Sequence, residues 1–380
     1  MKNLKLENPG KKEKLPLEEL NKPGDSEGSV LLGGKLTENA LRPKTLGDYI
    51  GQKTVSARLE IFIKAALGRK QVLDHILLAG PPGLGKTTLA HIIAHEMGGR
   101  LHVAPGPTLE KSADLLSILS DLKKGDILFI DEIHRLHPAI EESLYPAMED
   151  FQIQIIVGEG SAAQSINLDL EKFTLIGATT QPGKLTGPLR DRFGIHLGLE
   201  FYEPEEIEKI LHRSSKILSV DLQNSEMASI AKRSRGTPRI ANRLLARVRD
   251  FVEVIEGEKN SPQLLSQKAQ GVLKSSRSKE KVEIVDWALD FLDVDSRGLQ
   301  PLDRRYLRVL AEQFRGGPAG VEALAASLSE DRSTLEETLE PYLLKIGFIV
   351  RTARGRALTD AAWNYLGLQG PVVREDPALI

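Results

Sequence analysis

Between residues 75 and 200, short uninterrupted apolar runs alternate with stretches whose apolar positions recur every three or four residues. The runs "HILLAG" (75–80), "ILFID" (127–131) and "FTLIGATT" (173–180) lack the polar alternation of a half-exposed strand. They read as strands buried on both faces, as in a parallel sheet, and the helical spacing between them makes this part α/β. From 203 to about 254 the strand signal vanishes and helical spacing continues; "VEIVDWALDFLDVD" (282–295) adds one more amphipathic helix. Beyond it, "VEALAASLSEDRSTLEETLEPYLLKIGF" (321–348) reads as helix, short turn, helix, and "IVRTARGRALT" (349–359) as two short strands around an Arg-Gly turn. That succession is the pattern of a winged helix. "FQIQIIVGEGSAAQSINLDL" (151–170), with Ile155 and Ile156 among its apolar positions, alternates on both sides of a Gly-containing turn and predicts a hairpin.

Composition changes this picture at the edges. Residues 1–40 are rich in Lys, Glu, Asn, Gly and Pro and predict a disordered extension. The polar, Ser-rich stretch 256–281 reads as an inserted surface segment with room for a short helix at its centre. The expected boundaries are therefore 1–40, 41–202, 203–294 and 295–380, with "LRPKTLGDYIGQ" (41–52) as an ordered lead-in. The 380 residues carry a formal net charge of −2, so a nucleic-acid surface must be a local patch. There is no cysteine, no apolar run long enough to span a bilayer, and no apolar core in "MKNLKLENPGKKEKL" to make a secretory signal. A cytoplasmic protein with no membrane partner is expected.

The strongest chemical signal is "GPPGLGKT" (80–87), which has P-loop spacing, follows a predicted strand and opens the helix "TTLAHIIAHEMG". Gly80, Gly83 and Gly85 let the backbone curl its N–H groups toward phosphates, and the helix N-terminus adds positive potential. Lys86 is placed to reach the β- and γ-phosphates and Thr87 to ligate Mg²⁺; Gly83, Gly85, Lys86, Thr87 and Thr88 form the expected nucleotide-binding set for ATP or ADP. In "ILFIDEIH" (127–134), Asp131 and Glu132 emerge at the C-terminal end of a buried strand, where open α/β sheets bind ligands. Asp131 suits Mg²⁺, through water, and Glu132 suits the base that polarises the attacking water. His91, His95 and Glu96 share this P-loop helix, but the metalloprotease order puts Glu beside the first His, so a packing role and no zinc is expected.

Together "RPKTLGDYIGQ", "GPPGLGKTTLA", "LFIDEIHRL", "LYPAMEDF", "GATT", "PLRDRFG", "RGTPRIANRLL", "LEPYLLKIGF" and "RTARGR" resemble the RuvB family of the AAA+ superfamily, from about Leu41 to about Gly367. The resemblance implies a large AAA+ ATPase domain with a parallel sheet (41–202), a small helical lid (203–294) and a winged-helix head (295–380). It implies an ATP-driven motor, a hexameric ring on duplex DNA at Holliday junctions, working with RuvA and RuvC. By the same carry-over Leu41, Arg42 and Tyr202 border the base and ribose, and Glu149, Asp150 and Phe151 lie near the nucleotide across a subunit boundary. Gln181 departs from the pattern, standing where this family usually has Arg, and so does the 256–281 insertion.

The resemblance also assigns the arginines. In "GPLRDRFG" (187–194), Arg192 is the favoured finger into a neighbouring subunit's ATP site, with Arg190 a secondary contact; the alternative is an intrachain pair with Asp191 or Glu200. In "RGTPRIAN", Gly236 ends one helix and Pro238 opens the next, which fixes Arg239 at a helix start. From there it senses the γ-phosphate, as Thr179 does from the sheet; otherwise Arg239 is a surface charge. Arg351, Arg354 and Arg356 at the hairpin and Arg332 near the recognition helix are the expected contacts to DNA, mostly to phosphates. The hairpin 151–170 is the expected dock for RuvA. A clamp-loader-like or initiator ATPase, and a protein-remodelling AAA+ chaperone, are the competing readings. The "RTARGR" wing and "YPAMEDF" favour the motor.

Overall fold

Three uninterrupted apolar runs form the middle of one parallel sheet. Its order is β2-β3-β6-β1-β7, with β1 at Ile76–Ala79, β2 at Leu101–Pro105, β3 at Ile127–Asp131, β6 at Thr174–Thr179 and β7 at Ile195–Gly198. The computed structural model describes residues 39–157, 164–260 and 281–370. All six residues of β6 are buried, as are the four apolar residues of β3, because helices cover both faces. The edges differ: β7 alternates buried and exposed, and Val103 of β2 is 53% exposed. Around the sheet lie α1 (Lys53–Arg69), α2 (Lys86–Met97), α3 (Ser112–Asp121), α4 (Pro138–Glu149) and the short α5 (Gly187–Asp191). On one side Leu115, Leu119, Ile140, Leu144 and Phe193 pack with Leu128, Ile130 and Leu175 of the strands.

The hairpin expected at 151–170 is present as antiparallel β4 (Gln152–Val157) and β5 (Gln164–Asp169). Its tip, and the side chains of Ile155 and Ile156, lie outside the described residues. Residues 1–38 also lie outside them, as does most of the 256–281 insertion. Leu41 is helical and buried.

Among the described residues, α6 (Pro204–Ile217), α7 (Asn224–Arg233), α8 (Pro238–Asn260) and α9 (Lys281–Phe291) follow the sheet. Pro204 opens α6 at its first turn, and the Glu206 carboxylate accepts the Glu203 N–H at 3.2 Å. Ile207, Ile210 and Leu211 then fall on one buried face. Arg233 fastens α7 to α9 through Asp290 at 2.5 Å and Asp286 at 3.2 Å.

The last part folds as α10 (Pro301–Glu312), α11 (Val321–Leu328), α12 (Glu340–Lys345), the hairpin β8 (Ile349–Thr352) and β9 (Gly355–Leu358), and α13 (Asp360–Leu366). Leu307, Leu310, Leu324, Leu335, Leu343 and Phe348 form its core. One turn, Thr334–Leu339, is a π-helix leading into α12. Arg235, just before α8, is buried against the equally buried Asp303 of α10 and donates from Nε to the Gly298 carbonyl at 2.7 Å. No described helix is long and apolar enough to cross a membrane.

Candidate active site

The glycines expected to cradle phosphate lie between the end of β1 and the start of α2, and each takes a backbone angle that disfavours a side chain. Gly80, Gly83 and Gly85 have φ of +150°, +81° and +106°. The close approaches explain two of them further. A β-carbon on Gly80 would lie 2.6 Å from the Leu199 carbonyl oxygen, and one on Gly83 would lie 2.7 Å from Thr237 Cγ2 and 3.2 Å from Arg239 Cβ. The phosphate loop is thus pinned between β7 and the first turn of α8. Lys86 is 7% exposed and its ammonium donates to the carbonyls of Gly80 (2.7 Å) and Pro81 (3.1 Å). Burial lowers its pKa, opposed by the charges of Glu132 and Asp131.

At the C-terminal end of β3 the two carboxylates diverge in chemistry. Burial, and then the neighbouring charge of Glu132, raise the Asp131 pKa from its ordinary value. Burial also pushes Glu132 up, but hydrogen bonds from His134 and Thr180 and the charge of Lys86 outweigh it, so the net shift is downward. Glu132 sits in the left-handed region at φ +50°. Its Oε2 accepts from the N–H and the hydroxyl of Thr180, both at 3.1 Å, and lies 3.2 Å from His134 Nδ1. Thr179 is fully buried with its hydroxyl 2.9 Å from His134 Nδ1, so Thr180 is the threonine that faces Glu132. Strand alternation distinguishes the two only once the register is known.

Oxygen donors suit a hard cation at this corner. The Thr87 hydroxyl, at the first turn of α2, has no hydrogen-bond partner among the described residues, and Asp131 carries buried charge that a cation would offset. Beside the loop, the Tyr202 hydroxyl lies 3.0 Å from that of Tyr49 and 3.2 Å from the Leu84 carbonyl; burial pushes its pKa up to about 12. Arg42 lies close enough to α2 that its charge, after burial, lowers the His91 pKa. Glu96 accepts the Leu46 N–H at 3.1 Å, which ties the lead-in segment to α2.

Arg192 lies at the end of α5. It donates to the Pro188 carbonyl at 2.7 Å and to Glu149 Oε2 at 3.3 Å, and its guanidinium stacks over Tyr145 at 4.2 Å. Its intrachain carboxylate is therefore Glu149, not Asp191 or Glu200. Asp150 caps the end of α4, while Phe151 packs edge-on against Phe173, 5.9 Å between ring centres. Arg190 is exposed.

The head arginines differ among themselves. Arg351 and Arg356 both pair with the fully buried Glu340 (2.6 and 2.9 Å), and Arg356 also with Glu336 at 2.8 Å. Arg332 pairs with Glu322 and Glu336, each at 2.9 Å. Arg354, at the hairpin turn, has no side-chain partner among the described residues and is exposed. Tyr49, His134, Thr180 and Glu337 are the residues near the site that motif spacing does not reveal. Glu337 reaches it from the head: its Oε1 accepts from Gln181 Nε2 at 2.7 Å, and its Oε2 lies 3.3 Å from the Thr180 hydroxyl.

Residues 41–199 match the family model described as the Holliday junction DNA helicase RuvB P-loop domain, 202–275 the RuvB AAA lid domain, and 296–367 the RuvB C-terminal winged helix domain. Among solved structures, the chain is similar to the Thermotoga maritima RuvB Holliday junction branch migration motor. The two are 45% identical, with a TM-score of 0.76, over 87% of this chain and 100% of that one. A proline-to-glycine variant of the same Thermotoga maritima protein matches at 46% identity with the same TM-score and the same coverage of both chains.

Proposed function

Because the chain belongs to the RuvB family of Holliday junction DNA helicases, we propose that it drives branch migration by hydrolysing ATP at the corner where α2, β3 and the end of β6 meet. The observation that supports this reading most is the convergence of Lys86, Asp131, Glu132 and Thr180 there, with Arg239 of the lid over the phosphate loop. Gly83, Gly85, Lys86, Thr87 and Thr88 hold the phosphates of ATP, with Arg42 and Tyr202 toward the base and ribose. Thr87 and Asp131 hold Mg²⁺, which offsets phosphate charge when bound. Glu132, kept ionised by its hydrogen bonds, accepts the proton of the attacking water. Thr180 takes the sheet's γ-phosphate contact in place of Thr179, and Arg239 contributes the lid's.

Glu149, Asp150 and Arg192 occupy one surface at the ends of α4 and α5, which suits action on a neighbouring subunit's nucleotide. An arginine finger there is worth roughly 10³–10⁵-fold in rate, and its use requires a ring, which we take to be a hexamer. Ile166 and Leu168 of β5 are 47% and 39% exposed, an apolar face that suits docking of RuvA; RuvC completes the assembly. In the head, Arg354 is the freest of the expected DNA contacts. The family models for all three domains favour the motor over a clamp loader or a chaperone.

The test is a branch-migration assay on a synthetic four-way junction, with and without RuvA. Strand exchange that needs ATP and disappears in Glu132→Gln is expected; ATP-independent exchange would overturn the reading.

A further inference from the structure

Glu337 belongs to the winged-helix head, yet its carboxylate stands in the ATP corner. Two donors hold it there, Gln181 Nε2 at 2.7 Å and the Thr180 hydroxyl at 3.3 Å. The same Thr180 hydroxyl lies 3.1 Å from Glu132 Oε2. A hydroxyl has one hydrogen, so it serves Glu132 or Glu337 but not both. The Glu337 charge also reaches the Lys86 ammonium, where it favours the protonated form. The γ-phosphate is to occupy that same neighbourhood. Two anions sharing one partly buried cation repel each other, and the repulsion is stronger than in open water.

The backbone at this point is unusual. Glu337 lies in the π-helical turn Thr334–Leu339, a rare conformation that occurs mostly as single turns and is frequent at functional sites. Its neighbour Glu336 faces the other way and holds Arg356 (2.8 Å) and Arg332 (2.9 Å) of the head. Consecutive carboxylates of one turn therefore grip the wing and the ATP corner.

We propose that Glu337 is a positioning residue for ATP hydrolysis: seated on Gln181 and Thr180, it draws the Thr180 hydroxyl away from Glu132 and excludes the γ-phosphate, so that ATP and the seated head displace each other. The proposal rests on the ATPase reading given above. It goes beyond that reading because the residue comes from the domain that carries the wing. By linkage, whatever lifts the head from Thr180 tightens ATP binding by the factor with which ATP lifts the head.

Glu337→Gln is the direct test, since the amide keeps the shape and still accepts from Gln181 but has no charge. Equilibrium titration with a fluorescent ATP analogue and with the matching ADP analogue, in Mg²⁺ and without DNA, separates the outcomes. The variant is expected to bind the triphosphate about three- to tenfold more tightly and the diphosphate as the wild type does. DNA-free single-turnover hydrolysis is expected to rise. Gln181→Leu, which removes the other donor of the seat, is expected to shift triphosphate binding the same way. A thermal melt matching wild type verifies folding of each variant. Unchanged triphosphate affinity, or an equal change for both nucleotides, would overturn the proposal. Glu132→Gln is run beside them: if it hydrolyses ATP normally, the assignment of the ATP site fails, which is a result distinct from failure of Glu337.

Discussion

Gly83 and Thr237 touch so closely that the phosphate loop and the lid have no room for one more carbon: a β-carbon on the glycine would stand 2.7 Å from Thr237 Cγ2. At φ +81° an alanine there also carries left-handed strain of roughly 1–2 kcal/mol. Gly83→Ala should therefore push the start of α8, and Arg239 with it, away from the phosphates. ATP affinity is expected to fall about tenfold, the equivalent of about 1.4 kcal/mol. Nucleotide titration checks this, and wild-type affinity in the variant would show that the lid need not rest on the loop.

Glu132→Gln should bind ATP and hydrolyse it at least a hundredfold more slowly, within the range of a lost general base. Lys86→Ala should lose the nucleotide itself. Turnover near wild type in Glu132→Gln would move the base to another residue.

The opposite pKa shifts of the two carboxylates set the order of events on acidification. Asp131 is raised, so it takes up its proton at a higher pH than an ordinary aspartate; Glu132 is lowered and stays ionised further into acid. Protons then compete with the metal at Asp131 before they reach the base. The acidic limb of the hydrolysis rate should shift to lower pH when Mg²⁺ is raised about tenfold. A limb that ignores Mg²⁺ would mean that Glu132 protonates first.

Arg192 is held by the Pro188 carbonyl, Glu149 and Tyr145, none of which belongs to the Lys86 loop. Rings mixed from Arg192→Ala and Lys86→Ala subunits should recover ATPase activity that neither variant has alone. Native mass spectrometry can verify that mixed rings form. Mixed rings without activity at every ratio would assign Arg192 to its own chain.

The wing arginines should separate into two behaviours. Arg354→Ala should weaken duplex binding equally on unrelated sequences and flatten the salt dependence by about one unit of slope, with DNA-free ATP hydrolysis unchanged. Arg356→Ala leaves the fully buried Glu340 carboxylate with one arginine fewer, and should cost the head about 3 kcal/mol, seen in its melt. Equal salt slopes in Arg354→Ala and wild type would remove the wing tip from the DNA contact.

The P-loop and the "DE" pair are legible in the sequence because their chemistry is local: a few consecutive residues carry both the turn and the ligand groups. The three inner strands are legible for the same reason, since burial on both faces leaves an unbroken apolar run. Edge strands β2 and β7 are not, because "LHVAP" ends in proline with Val103 half exposed and "IHLG" is only four residues long. The Thr180–Glu132 pair depends on strand register, and the Gln181–Glu337 bond joins positions 156 apart. Arg351 and Arg356 read as free cations in "RTARGR" because nothing local says that the hairpin folds back over Glu336 and Glu340.

The buried Arg235–Asp303 pair has a mechanical meaning. Arg235 stands four positions before Arg239, and both it and Gly236 take left-handed backbone angles, φ +60° and +66°. The Gly236 carbonyl is held by the N–H of Tyr202, where the sheet domain ends, at 2.9 Å. Two neighbouring residues of this short strap thus answer to different domains: Gly236 to the end of the sheet domain through Tyr202, and Arg235 to the head through Asp303. A displacement of the turn that carries Arg239 would strain both attachments at once, so the lid is joined to its two neighbours at one place in the chain.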